Sequence, residues 1–155
     1  MRVALLIVLG SLSLVAAACA EPQAPAPVQL YPNADASGAP ILAVFEGRVP
    51  CLGANCEKTK VALVFYQGDA SQTYWLAMVD VGGGDDTRRI AQGTWSAATG
   101  VEGYPQAPVY QLDANAPQVL RRLWRAGADV LLPLDEAMRP RAGNASWGYM
   151  LSRVR

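Results

Sequence analysis

From Ile41 onward the chain is a succession of short apolar stretches separated by Gly, Pro, Asp and Asn, with no long amphipathic helix pattern. The pattern predicts strands at 41–49, 60–67, 73–81, 88–95, 107–113, 118–125, 129–134 and 147–154. The second is rich in β-branched and aromatic residues, Val61-Ala62-Leu63-Val64-Phe65-Tyr66. It is followed by Gln67-Gly68-Asp69-Ala70-Ser71, which reads as a five-residue hairpin loop containing Gly. Gly82-Gly83-Gly84-Asp85-Asp86 marks the next turn. In 117–126, Leu120, Leu123 and Trp124 have helical spacing, but regular strand spacing on both sides favours a continuing meander. About eight short strands with turn punctuation predict an all-β fold, an antiparallel barrel or sandwich.

The N-terminal residues follow a different pattern. The first twenty are apolar apart from Arg2, Gly10, Ser11 and Ser13, and the run ends in Ala16-Ala17-Ala18-Cys19. That is shorter than a comfortable membrane span and has the small-residue end of a secretory signal. One reading is cleavage after Ala18-Cys19-Ala20, which makes Glu21 the first mature residue. In the other, preferred reading, residues 14–19 resemble a bacterial lipobox. Cleavage then precedes Cys19, whose thiol receives diacylglycerol; Ala16 stands where Leu or Val is usual. Residues 1–18 are then a lipoprotein signal peptide, and 19–40 a lipidated Cys and tether rich in proline (Pro22, Pro25, Pro27, Pro32, Pro40). The folded domain occupies 41–155. Acyl chains anchor through about 0.8 kcal/mol per buried CH₂. Ala20 after the Cys implies the outer membrane under lipoprotein sorting rules.

Composition narrows the chemistry. The chain has 155 residues, 13 basic and 13 acidic side chains, 3 Cys and no His. A balanced charge argues against a nucleic-acid partner, which requires a basic stripe. The lack of His removes Ser-His-Asp and Cys-His catalysis and the usual zinc sites. No nucleophile–base pair can be assembled, so the expected role is non-enzymatic. An odd number of Cys is awkward for a disulfide framework, and acylation of Cys19 explains the odd one.

The remaining two, Cys51 and Cys56, lie in Phe45-Glu46-Gly47-Arg48-Val49-Pro50-Cys51-Leu52-Gly53-Ala54-Asn55-Cys56-Glu57-Lys58-Thr59-Lys60. This segment resembles the signature of the NlpE family, bacterial outer-membrane lipoproteins linked to copper resistance and envelope-stress signalling. Gly93-Thr94-Trp95, Leu134-Asp135 and Tyr149-Met150-Leu151-Ser152-Arg153 match later family elements, so the resemblance spans about 41–153. It corresponds to the family's N-terminal domain and implies a lipocalin-like β-barrel facing the periplasm. It further implies a sensor or adaptor role whose partner is an inner-membrane sensor kinase. The family spacing is Cys-x-x-Cys, whereas here four residues separate Cys51 from Cys56.

Two thiolates at that spacing can still share a soft ion such as Cu(I), on a loop that Gly53 eases. Met78, Met138 and Met150 are the other soft donors, and nothing in the sequence places them near the pair. A structural disulfide is the favoured alternative in an oxidising compartment. A switch between the two states combines both.

Other features have plainer readings. Trp75, Trp95, Trp124 and Trp147 fit core or rim packing better than a ligand cavity. Arg88-Arg89 and Arg121-Arg122-Leu123-Trp124-Arg125 fit a solvated strand face, though lipid head groups or peptidoglycan are conceivable partners. Asp85-Asp86 and Asp135-Glu136 fit turns, and the Asn144-Ala145-Ser146 sequon carries little weight beside a bacterial lipobox. The competing function is a lipocalin-like carrier of a small apolar ligand. The discriminator is whether Val61, Leu63 and Phe65 fill the barrel interior.

Overall fold

A computed structural model describes residues 30–69, 71–83 and 87–155. The predicted signal peptide and Cys19 lie outside the described residues, as do the first part of the predicted tether and Asp85-Asp86. Eight strands follow in chain order: β1 (Ile41–Pro50), β2 (Lys58–Gln67), β3 (Gln72–Val81), β4 (Thr87–Val101), β5 (Tyr104–Leu112), β6 (Arg122–Arg125), β7 (Val130–Pro133) and β8 (Leu151–Arg153). Each pairs antiparallel with its sequence neighbours, and β8 returns to β1 through Phe45 opposite Arg153 and Glu46 opposite Ser152. The predicted all-β fold is therefore a closed eight-stranded antiparallel barrel.

Period-two alternation decides what faces inward. Phe45 and Val49 of β1, Val61, Leu63 and Phe65 of β2, Tyr74, Leu76 and Met78 of β3, and Trp95 of β4 share one buried cluster with Leu112, Leu123, Leu131 and Leu151. Phe65 sits at its centre, with ring centroids 6.1 Å from Phe45, 5.2 Å from Trp95 and 4.9 Å from Tyr110. The three discriminating residues Val61, Leu63 and Phe65 are thus interior and buried.

The central strands are apolar on both faces because a second layer covers part of the outside. Val44, Val64, Tyr66, Trp75 and Ala77 form an outer cluster with Ala39, against which Tyr31 packs. Residues 30–40, expected as part of an extended tether, lie on the barrel. The Tyr66 hydroxyl donates to the Pro32 carbonyl at 2.8 Å, and the Thr73 hydroxyl donates to Asp35 at 2.5 Å. Asp35 is organised locally for the second of these bonds: its carboxylate also accepts from Ser37 and from the Ala39 amide.

The segment of mixed signals resolves into both elements in turn. A 3-10 helix, Gln118–Leu120, directs Leu120 into the core, and β6 begins two residues later. The predicted strand 88–95 runs on to Val101. The predicted 147–154 strand shortens to β8, because Asn144 Oδ1 accepts the Ser146 and Trp147 amides and holds a turn there. Gly47 allows closure: a Cβ there would collide with the Met150 carbonyl and Leu151, so only glycine lets the β8 approach cross this tightly.

Candidate functional site

In an antiparallel meander the β1–β2 and β3–β4 connections emerge at the same end of the barrel. The first of these carries Cys51 and Cys56, and the structure joins them in a disulfide with Cα atoms 5.4 Å apart, within the range a disulfide bridges. Of the readings open from sequence, the disulfide is the form present.

The loop is held down from beneath. Thr59, fully buried at the start of β2, accepts the Leu52 amide N–H at 2.9 Å and donates to Asp80 Oδ1 at 2.5 Å. Its hydroxyl lies 4.0 Å from Cys56 Sγ. Asp80 in turn accepts from Arg89 Nη2 on both oxygens, at 2.9 and 2.8 Å. Thr59 and Asp80 are register partners across β2 and β3, so the inward face of three adjacent strands places Thr59, Asp80 and Arg89 together. Leu52 packs on the interior cluster, and the Glu57 amide donates to the Val81 carbonyl at 2.8 Å. The result is a disulfide loop folded over one barrel end and wired through a partly buried polar chain to β3 and β4.

Gly53 eases the loop in a way the spacing suggested only in outline. Its missing side chain leaves room for the Asp80 carboxylate, which Arg89 and Thr59 hold in place. Cys51 Sγ lies 3.4 Å from the Gly53 carbonyl.

The structure does not bring the methionines to this site. Met78 is in the barrel core, Met138 packs against the outer cluster of Val101, Val109 and Leu134, and Met150 is exposed. Among the described residues no three His, Cys, Asp or Glu side chains come together as a metal-ligand group. Reduced, the Cys pair would supply two soft thiolate donors, a set adequate for Cu(I) but for few other ions.

The sequence grouped Arg88 with Arg89, and the structure separates them. Arg89 turns inward to Asp80, while Arg88 is exposed on the outer face with its guanidinium carbon 6.0 Å from the Trp75 ring centroid. Thr59 and Asp80 carried no sequence signal of their own, since their link depends on the β2–β3 register. Asp135 serves a turn, accepting the Arg139 amide at 3.0 Å.

A second polar cluster lies where β4 meets the turn after β5. Burial pulls Asp113 upward, but the Thr94 and Asn115 amides and the Tyr74 hydroxyl outweigh it and leave its carboxyl below the ordinary value. Tyr74 is pushed upward by burial and by its bond to Asp113. These groups anchor a turn and offer no reactive pair. Comparison of the chain with family models, curated proteins and solved structures finds no match.

Proposed function

We propose that this chain is a non-enzymatic bacterial envelope lipoprotein resembling the NlpE N-terminal domain. In this reading Cys19 carries the lipid anchor, the barrel stands in the periplasm at the outer membrane, and the Cys51–Cys56 loop is the responsive element. The observation that carries the reading is the connection of that loop, through Thr59, to Asp80 on β3 and Arg89 on β4. A change in the sulfur pair is thereby coupled to the strand end and to the surface a partner such as an inner-membrane sensor kinase would meet.

The chemistry is a two-electron exchange. A dithiol reductant gives two electrons and two protons to the disulfide, becoming oxidised itself, and leaves two thiols on the loop. Cu(I) binding to that pair would then displace both thiol protons. Oxidised, the same sulfurs have no thiolate to offer, so metal and disulfide are exclusive states. The buried interior cluster supports this reading over a carrier of apolar cargo.

Intact mass of the membrane-extracted protein, with and without reductant and alkylation, tests anchor and loop together. The expected result is acylation at Cys19, with Cys51 and Cys56 alkylated only after reduction. An unacylated product beginning at Glu21 overturns the lipoprotein reading. Cu(I) titration of the reduced protein should lose its stoichiometric step in Cys51→Ala and in Cys56→Ala. Unchanged copper binding in both variants removes the metal role.

A further inference from the structure

The outer face of β1 to β4 carries a groove of about 620 Å³, within the roughly 300–1,000 Å³ typical of small-molecule sites. Its construction follows from strand register. Arg48 faces Lys60 across β1 and β2, Lys60 faces Val79 across β2 and β3, and Val79 faces Arg88 across β3 and β4. The three cations therefore stand in one row across four strands, and all three are exposed. At a strand spacing of about 4.8 Å the row is roughly 14 Å long.

Two residues along the strands on the same face, the next row runs Glu46, Ala62, Ala77, Ile90, with Ala62 facing Ala77 at its centre. The small side chains of these two alanines leave a trough between the cationic row and the indole of Trp75. Trp147 and Met150 line it from the segment preceding β8, and Leu30 stands at its margin. One side of the groove is thus largely apolar, with Glu46 at its β1 end, and the other is positively charged.

This charge is not offset by an ion pair among the described residues. Among the described residues none of Arg48, Lys60 and Arg88 forms an ion pair, whereas Lys58, Arg89 and Arg139 all do. Glu46 is the one acid along the lining among the described residues. Like charges directly opposite each other on paired strands destabilise the pairing, and Arg48 and Lys60 are such a pair. An anion bridging the row would relieve that repulsion, and an alkyl chain attached to it would fill the alanine trough.

We infer that this groove binds a single-chain amphipathic anion, with its phosphate or carboxylate head on Arg48, Lys60 and Arg88 and its alkyl chain over Ala62 and Ala77 against Trp75. The site lies on the outside of the barrel, and its residues are distinct from those of the Cys51–Cys56 loop.

The test is titration of the full chain, held in phosphatidylcholine nanodiscs, with octyl phosphate, followed by tryptophan emission after subtraction of empty discs. A saturable change is expected for the unaltered protein. Affinity should fall at least about tenfold in the Lys60→Gln/Arg88→Gln variant, which removes two charge-assisted contacts on an exposed face. Ala62→Phe, which fills the trough and leaves the charges in place, should weaken it comparably. Octanol and inorganic phosphate, each carrying half of the ligand, should bind at least tenfold more weakly than octyl phosphate. Equal affinity in both variants, or an equal response to octyltrimethylammonium, overturns the inference. So does a response to phosphatidylglycerol discs with none to octyl phosphate, which would make the row a headgroup-docking surface.

Discussion

Thr59 is fully buried yet bears a hydroxyl, and its surroundings explain why that is tolerated. The oxygen accepts one bond, from Leu52 N–H, and gives one, to Asp80. Both partners depend on it, so Thr59→Val, which preserves shape, leaves a donor and a charged acceptor short of a bond. The expected destabilisation is about 1–3 kcal/mol, read as a lower urea midpoint at unchanged m-value. The same variant should release the loop, so that Cys51 and Cys56 are reduced at lower dithiol concentration than in the unaltered protein. Sequence made the two cysteines conspicuous, because an isolated thiol pair in a chain without His has few interpretations. It left Thr59 and Asp80 invisible, because they are distant in sequence and ordinary in type until β2 and β3 are aligned.

At the level of elements, the disulfide and the N-terminal segment both clip onto a ladder whose named strands include neither. The chain-entropy model assigns a loop of about six residues roughly 2 kcal/mol, less than longer loops yield. The loop lies outside the strand pairing, so Cys51→Ser/Cys56→Ser should lower stability by no more than about that amount and keep the far-UV spectrum of the barrel. Loss of the strand signal on reduction would show that the loop organises the sheet. The segment 30–40 responds to acid instead. The Thr73 hydroxyl, with Ser37 and the Ala39 amide, holds Asp35 down from its ordinary 3.8 to about 2. Its docking contribution is therefore complete above the ordinary carboxylate value and lost as pH falls through about 2. Protection of the 30–40 amides, taken relative to their intrinsic exchange rates, should fall over that window, and Asp35→Asn should show the lower protection already at neutral pH. Such elements differ in legibility. The Val61–Tyr66 run announced a strand, but its outward residues Val64 and Tyr66 are buried only because 30–40 covers them. The proline-rich composition of that segment suggested a spacer and gave no sign of the Asp35 and Pro32 contacts. Around Leu120 the helical spacing and the strand expectation were each right for part of the segment, since a single 3-10 turn precedes β6.

For the whole molecule the deciding question is whether the barrel is a container or a solid scaffold, and Phe65 answers for the central layer. Its ring meets Phe45, Trp95 and Tyr110, drawn from β1, β4 and β5, so one side chain ties together strands on different sides of the barrel. Trp95 is fixed in turn by its indole N–H, which donates to the Tyr66 carbonyl at 3.2 Å. A carrier tolerates truncation of a wall residue, since its interior is already open, whereas a scaffold loses packing that nothing replaces. Phe65→Ala should therefore cost about 3–5 kcal/mol, read by urea unfolding, because the rigid neighbours relax only partly into the space. The variant should also gain an enclosed apolar hole that takes up benzene or xenon and recovers stability in its presence. A loss below about 1 kcal/mol, or benzene uptake by the unaltered protein at similar affinity, would show that the interior is open. In that case the carrier becomes the better reading, and the outer groove with its row of Arg48, Lys60 and Arg88 becomes a second ligand site beside the interior.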